Sequence, residues 1–150
     1  MRIVIQRVQN ASVSVSGNPV SAIGAGMMVL VGVENGDTEA DAEWLAAKTA
    51  ALRIFDDAEG VMNRSVADVG GDVLAVSQFT LTASTRKGNR PSYIRAARGG
   101  EAEGLYRHYC DRVSTFLGRT VARGIFGADM QVSLVNDGPV TIIIDSRLRE

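Results

Sequence analysis

Near its end the chain carries LVNDGPVTIII, residues 134–144, which reads as strand on both sides of an interruption. Leu134 and Val135 run into a polar cluster, and Val140–Ile144 is an unbroken run of β-branched residues. Asn136, Asp137 and Gly138 suit a tight hairpin turn, because they tolerate φ > 0. The proline that follows removes a ladder donor and restricts the residue before it. Two structures fit this window. One is a turn that ends one strand and begins an edge strand. The other is a rigid Gly138-Pro139 tip, cis if the isomer allows, that presents backbone atoms to something.

The rest of the chain reads mainly as strand. RIVIQRVQNASVSVSGNPVS looks like two strands around a turn at Gly17-Asn18-Pro19, with Val13 and Val15 alternating against serines. GMMVLVGVENG is an apolar run fit for a buried strand. From Thr38 to Phe55 the period becomes helical, with Trp44, Ala47, Ala51 and Phe55 as a stripe and Leu45 and Leu52 beside it. Asp37 or Thr38 can cap that helix. GDVLAVSQFTLTA reads as a further strand. EAEGLYRHYCDRVSTFLG reads as a second helix, with Leu105, Tyr109, Val113 and Phe116 on one face and Gly118 as its stop. TVARGIF, MQVSLV and VTIII follow as strands. Residues 1–150 thus read as one strand-rich α+β domain with two main helices and no linker or repeat.

Composition narrows the chemistry. No apolar run approaches the roughly 20 residues of a membrane-spanning helix, and MRIVIQRV lacks the apolar block of a signal peptide; a cytosolic protein is expected. The single cysteine, Cys110, excludes an internal disulfide and a cysteine-based metal cluster. The single histidine, His108, stands two residues from it on a helix, so the two do not face each other. Both are read as structural, and a histidine triad, a metal or a cofactor is not expected. Net charge is only −1. Yet no acidic residue lies between Asp72 and Glu101, where Arg86, Lys87, Arg90, Arg95 and Arg98 fall. A basic loop on a near-neutral chain suits a phosphate backbone, or is a solvated loop balanced elsewhere.

VSQFTL, residues 76–81, is unusual for a strand centre, since Ser77, Gln78 and Thr80 are polar in an apolar run. Period-2 alternation sets Ser77 with Phe79 on one face and Gln78 with Thr80 on the other. They either bond across strands or place polar groups and amides at a strand end, where a substrate carbonyl fits.

SQFTL, then TRKGNRPSY, then NDGPVT, in that order and spacing, resemble the D-aminoacyl-tRNA deacylase family. MRIVIQRVQNASVSV, LRIFDDAEGVMNRSVADVGGDVLAVSQFTL and GIFGADMQVSLVNDGPVTIIID extend the resemblance over essentially the whole chain. Ser84 departs from it, since an aspartate is expected there. The resemblance implies a mixed or antiparallel sheet curled into a barrel-like core, in a cytoplasmic homodimer. It implies hydrolysis of the ester between a D-amino acid and the terminal adenosine of tRNA, with no DNA or membrane partner. It also implies that Gly138-Pro139 is cis and enters the partner subunit's active site as a filter against L-amino acids. Ser77, Gln78, Phe79 and Thr80 would be catalytic, Arg7 would support the tip, and Arg86, Lys87 and Arg90 would meet tRNA. Arg7 is otherwise a surface strand arginine.

Such a substrate needs few catalytic side chains. Its ester is labile and the ribose supplies a vicinal hydroxyl, so positioning supplies roughly 7–11 kcal/mol and an oxyanion donor roughly 3–4 more. RNA-assisted hydrolysis is the leading expectation. The rival makes Thr80 a covalent nucleophile, although no activating base is evident. A non-catalytic RNA-binding dimer and a small-molecule esterase remain as other classes.

Overall fold

A computed structural model describes residues 1–149. β1 (Arg2–Val15) is its axis. One edge of β1 pairs with β2 (Asn18–Ile23) and β3 (Gly26–Gly32), and the other pairs along its length with β8 (Met130–Asp145), all antiparallel. β6 (Asp72–Ser77) adds parallel to β3, and the short β7 (Ala122–Arg123) adds parallel to β6. The sheet is therefore mixed. It also curls: its ends approach where Ser21 Oγ donates to the Arg123 carbonyl at 2.8 Å.

The parallel steps require crossovers. The first holds α1 (Glu39–Ala51) and a small hairpin of β4 (Phe55–Asp56) and β5 (Met62–Arg64). The second holds α2 (Gly99–Leu117). Both helices cover one sheet face, where Ile3, Ile5, Val29 and Val31 meet Leu45, Tyr109 and Val113. The other face closes on itself inside the curl, around Val8, Val13, Met28, Leu74 and Val76. β1 serves both cores by changing parity. Ile3 and Ile5 point to the helices while Ala11 and Val13 point into the curl, and irregular register between Gln6 and Asn10 makes the switch.

Several expectations change. α1 ends at Ala51, and Phe55 lies in β4. Its buried face is Ala42, Leu45, Ala46 and Thr49, with Ala47 and Ala51 exposed. The large Trp44 suggested the wrong stripe: it lies half-buried with the Arg149 guanidinium 4.7 Å from its ring centre. In α2, Leu105, Tyr109 and Val113 are buried as expected, but Phe116 is exposed under Arg112. The first hairpin turns at Ser16-Gly17, both at positive φ, so Pro19 falls within β2. TVARGIF yields only the two residues of β7.

The largest correction concerns LVNDGPVTIII, where the hairpin-turn reading fails. β8 continues through it and keeps the same partner. Val8 pairs with Asn136 and Gln6 with Thr141, so two steps on β1 face five on β8. The surplus is ejected as a wide bulge at Asp137–Val140.

Candidate active site

β6 stops at Ser77, six residues short of the end of the strand expected over GDVLAVSQFTLTA. The Gln78 N–H makes the last link to β3, donating to the Val31 carbonyl at 2.8 Å. The chain then winds into a 3₁₀ turn at Phe79–Thr82. The alternating faces expected of Ser77–Thr80 do not form, because the backbone turns before the pattern can repeat. Among the described residues neither the Phe79 nor the Thr80 N–H has an acceptor, as befits the first amides of such a turn.

Four contacts pin this turn. Gly32 lies beneath it: a Cβ there would stand 3.0 Å from Leu81 Cβ and 3.1 Å from the Gln78 carbonyl oxygen. Arg2 Nη1 donates to the Leu81 carbonyl at 3.1 Å while its Nε and Nη2 hold Asp145. The buried Thr82 hydroxyl donates to the Phe79 carbonyl at 2.8 Å. Gln78 Nε2 donates to Thr80 Oγ1 at 2.5 Å.

A cavity of about 590 Å³ opens at this carboxyl end of β6, lined by Ser77, Gln78, Phe79, Tyr93, Arg98 and Phe126 among others. Ligands of parallel sheets favour that end. Phe79 is 55% exposed at its mouth and meets Tyr93 edge to face, with ring centres 5.1 Å apart. The wall from Tyr93 to Ala97 is tied to the end of β3. Asn35 N–H donates to the Arg95 carbonyl, and Glu34 takes up the Arg95 guanidinium at 2.9 Å. Thr80 does not join Ser77, Gln78 and Phe79 here. Its side chain borders a second groove beside Trp44 and Ile143.

The remaining expected residues lie apart. Gly138 and Pro139 are exposed, joined by a cis peptide, and neither lines the cavity of its own chain. Gly138 has φ 128°, and a Cβ on it would meet Val140 Cγ2 at 2.8 Å and Arg7 Nη2 at 3.1 Å, so a side chain is not accommodated. Arg7 is no surface arginine. Only 11% of its side chain is exposed, and it donates to the Asp137 carbonyl at 3.1 Å and the Ile54 carbonyl at 2.8 Å. Arg86, Lys87 and Arg90 are exposed on a loop closed by paired Ser84 and Ser92 backbones.

His108 sits at the interface of the two helices, 3.3 Å from Glu43. Cys110 is fully buried, and burial pushes its thiol up to about 11, so it is no nucleophile. Gly32, Tyr93, Phe126 and Thr82 were not singled out from the sequence. A threonine in the apolar run FTLTA was the only available signal among them.

The D-Tyr-tRNA(Tyr) deacylase family model matches residues 4–145. D-aminoacyl-tRNA deacylases of Opitutus terrae and Parabacteroides distasonis are 61% and 57% identical over 150 residues, covering all of both chains. Among solved structures, the c-Myc DNA unwinding element binding protein superposes with TM-score 0.90 at 40% identity, over 97% of this chain and 98% of that one. A chain described as "a probable eukaryotic D-amino acid tRNA deacylase" superposes at TM-score 0.82 over 95% and 97%. At 18% identity, that likeness speaks for the fold alone. No helix among the described residues is long and apolar enough to cross a membrane. With a match that runs from the first strand to the end of β8, the chain belongs to the D-aminoacyl-tRNA deacylase family of hydrolases.

Proposed function

We propose that this protein hydrolyses the ester of D-aminoacyl-tRNA, and of mischarged glycyl-tRNA, to free amino acid and tRNA in the cytoplasm. One observation carries the reading: Ser77, Gln78 and the unpartnered Phe79 amide converge on a cavity at the end of β6. The ester carbonyl lies against the Phe79 N–H, which meets the oxyanion as it forms. Water attacks the carbonyl carbon. The ribose oxygen leaves with a proton, and the vicinal hydroxyl orients or relays it. The Thr80 hydroxyl supports the site through Gln78 and is no nucleophile, because among the described residues its hydrogen-bond partner is the Gln78 amide, which is no base.

The working unit is a homodimer. β8 is a 16-residue edge strand with Val135, Ile143 and Leu148 exposed along or just beyond it, a surface that invites pairing with a second copy. Its bulge carries Gly138-Pro139 away from its own cavity, so the tip acts on the partner's. There it obstructs the L side chain and leaves glycine and D side chains of varied size unhindered. Arg86, Lys87 and Arg90 lie along the tRNA acceptor end.

Deacylation of D-alanyl-, glycyl- and L-alanyl-tRNA at matched enzyme concentration tests this. The first two should be hydrolysed and the third spared. Glycyl-tRNA as resistant as the L-alanyl ester would mean that the pocket reads a D side chain. Fast turnover of a free D-alanine ester would instead favour a small-molecule esterase. Tight binding of duplex DNA without turnover of any ester would favour a nucleic-acid-binding dimer. Ala128→Trp, which plugs the cavity from its far wall, should abolish turnover.

A further inference from the structure

Thr82 is buried and lies outside the four residues that meet substrate in the proposed mechanism. Among the described residues its hydroxyl has one partner, the Phe79 carbonyl at 2.8 Å. That carbonyl belongs to the peptide joining Phe79 to Thr80. In a trans peptide the C=O and N–H point in opposite directions. A carbonyl drawn inward by Thr82 therefore turns the Thr80 N–H away from the core, beside the Phe79 N–H, and both lack an acceptor among the described residues.

We infer that Thr82 is a positioning residue for hydrolysis: its hydroxyl holds the Phe79 carbonyl and so fixes the head of the turn from which the Phe79 N–H is aimed at the developing oxyanion. This rests on the proposed role of that amide. Buried hydroxyls require a partner, but this one holds a carbonyl at the hinge of the turn, where a rotation of the peptide swings the donor off target. Gly32 and Arg2 fix the turn's position, from below and at its end. Neither bonds this peptide's carbonyl, as the Thr82 hydroxyl does.

The test is steady-state deacylation of D-alanyl-tRNA by full-length Thr82→Val and Thr82→Ser, with thermal melting of each. Valine keeps the shape and removes the hydroxyl; serine keeps the hydroxyl. Loss of one oxyanion donor costs about 10²–10³ in kcat, so misaiming one should cost roughly tenfold or more. Thr82→Val is expected to lose that factor in kcat with KM within about twofold, because ground-state binding does not use the donor. Thr82→Ser is expected to restore kcat to within about threefold of wild type. Thr82→Ser against Thr82→Ala repeats the hydroxyl comparison should valine prevent folding. Equal kcat in Thr82→Val and wild type, or a serine variant as slow as the valine or alanine one, overturns the inference. If Ala128→Trp keeps full turnover, the cavity reading has failed instead, and the two failures are distinct.

Discussion

The turn at Phe79–Thr82 is pinned from within: Gly32 lies beneath it, Thr82 and Arg2 hold its carbonyls, and Gln78 ties it to β3. The bulge at Asp137–Val140 hangs from an edge strand. Its Gly138 and Pro139 are exposed, and Arg7 reaches from β1 to hold it, with the Val140 N–H donating to Asn136 Oδ1 across its base. In the proposed function the first region needs a fixed direction for an amide, which buried hydrogen bonds supply. The second needs only to stand in the way, which a stiff dipeptide does at little cost in packing. On that proposal chemistry and selectivity are divided between a pinned interior turn and a propped surface tip, and perturbations should separate them.

The largest effect should come from the substrate on the turn's side of that division. If the turn supplies positioning and the RNA supplies the reactive hydroxyl, replacing the vicinal ribose hydroxyl by hydrogen should cost at least about 10³-fold in single-turnover rate. Thr80→Ala, which removes a hydroxyl outside the cavity, should cost no more than about fivefold, the worth of one ordinary hydrogen bond. A trapped acyl-Thr80, or the opposite ranking, would return catalysis to the side chain.

On the tip's side, Arg7→Ala should act on selectivity. It strips donors from the Asp137 and Ile54 carbonyls and leaves the cavity untouched. We expect D-alanyl-tRNA turnover to hold within a few-fold while hydrolysis of L-alanyl-tRNA rises about tenfold or more, since tenfold needs only ~1.4 kcal/mol of lost obstruction. An equal loss on both substrates would mean that Arg7 serves the fold alone.

The two regions also differ in how far the sequence discloses them. Gly138-Pro139 is conspicuous because a proline inside a β-branched run breaks a local rule, and such breaks concentrate at functional sites. What it became was less legible. A bulge and a hairpin turn share the residues Asn-Asp-Gly, and the difference lies in whether the chain returns to the same partner, which pairing with β1 decides. SQFTL was visible as a polar cluster, but its backbone was not. The 3₁₀ turn packs into space left by Gly32, some 45 residues upstream, so no local pattern announces it. The helices show the same limit. α2 was legible because Leu105, Tyr109 and Val113 are large and spaced for one face. In α1 the buried face is mostly small residues, and the conspicuous Trp44 lies beside it.

A smaller effect is expected where the basic loop meets RNA. Arg95 is engaged by Glu34, whereas Arg86 and Lys87 are exposed. Converting Arg86 and Lys87 together to alanine should weaken tRNA binding and lower the slope of log K against log salt by about 0.7–0.9 for each phosphate no longer neutralised. Selectivity between D and L esters should not move. An unchanged slope would shift the RNA footprint off this loop.

The smallest effect should appear where the two regions touch. Arg2 reaches the turn through the Leu81 carbonyl and the end of β8 through Asp145, so the Arg2–Asp145 pair is a bond between the part that reacts and the strand that carries the tip. Burial opposes the Asp145 charge. Hydrogen bonds from the Arg147 N–H, the Arg2 guanidinium and the Leu148 N–H outweigh it and hold the carboxyl below its ordinary value of 3.8. A depressed carboxyl stabilises the fold above its unfolded pKa and loses that contribution as pH falls through the folded one. Wild type should therefore melt a few degrees above Asp145→Asn near neutrality, about 2–4 °C for each kcal/mol in a chain of this size. The gap should close below about pH 4, as the carboxylate is protonated. Melting curves of both proteins between about pH 7 and pH 3 measure it. A gap that persists undiminished at the acid end would mean that the asparagine disturbs packing and not charge, and the turn and the tip strand would then be joined by the backbone of β1 alone.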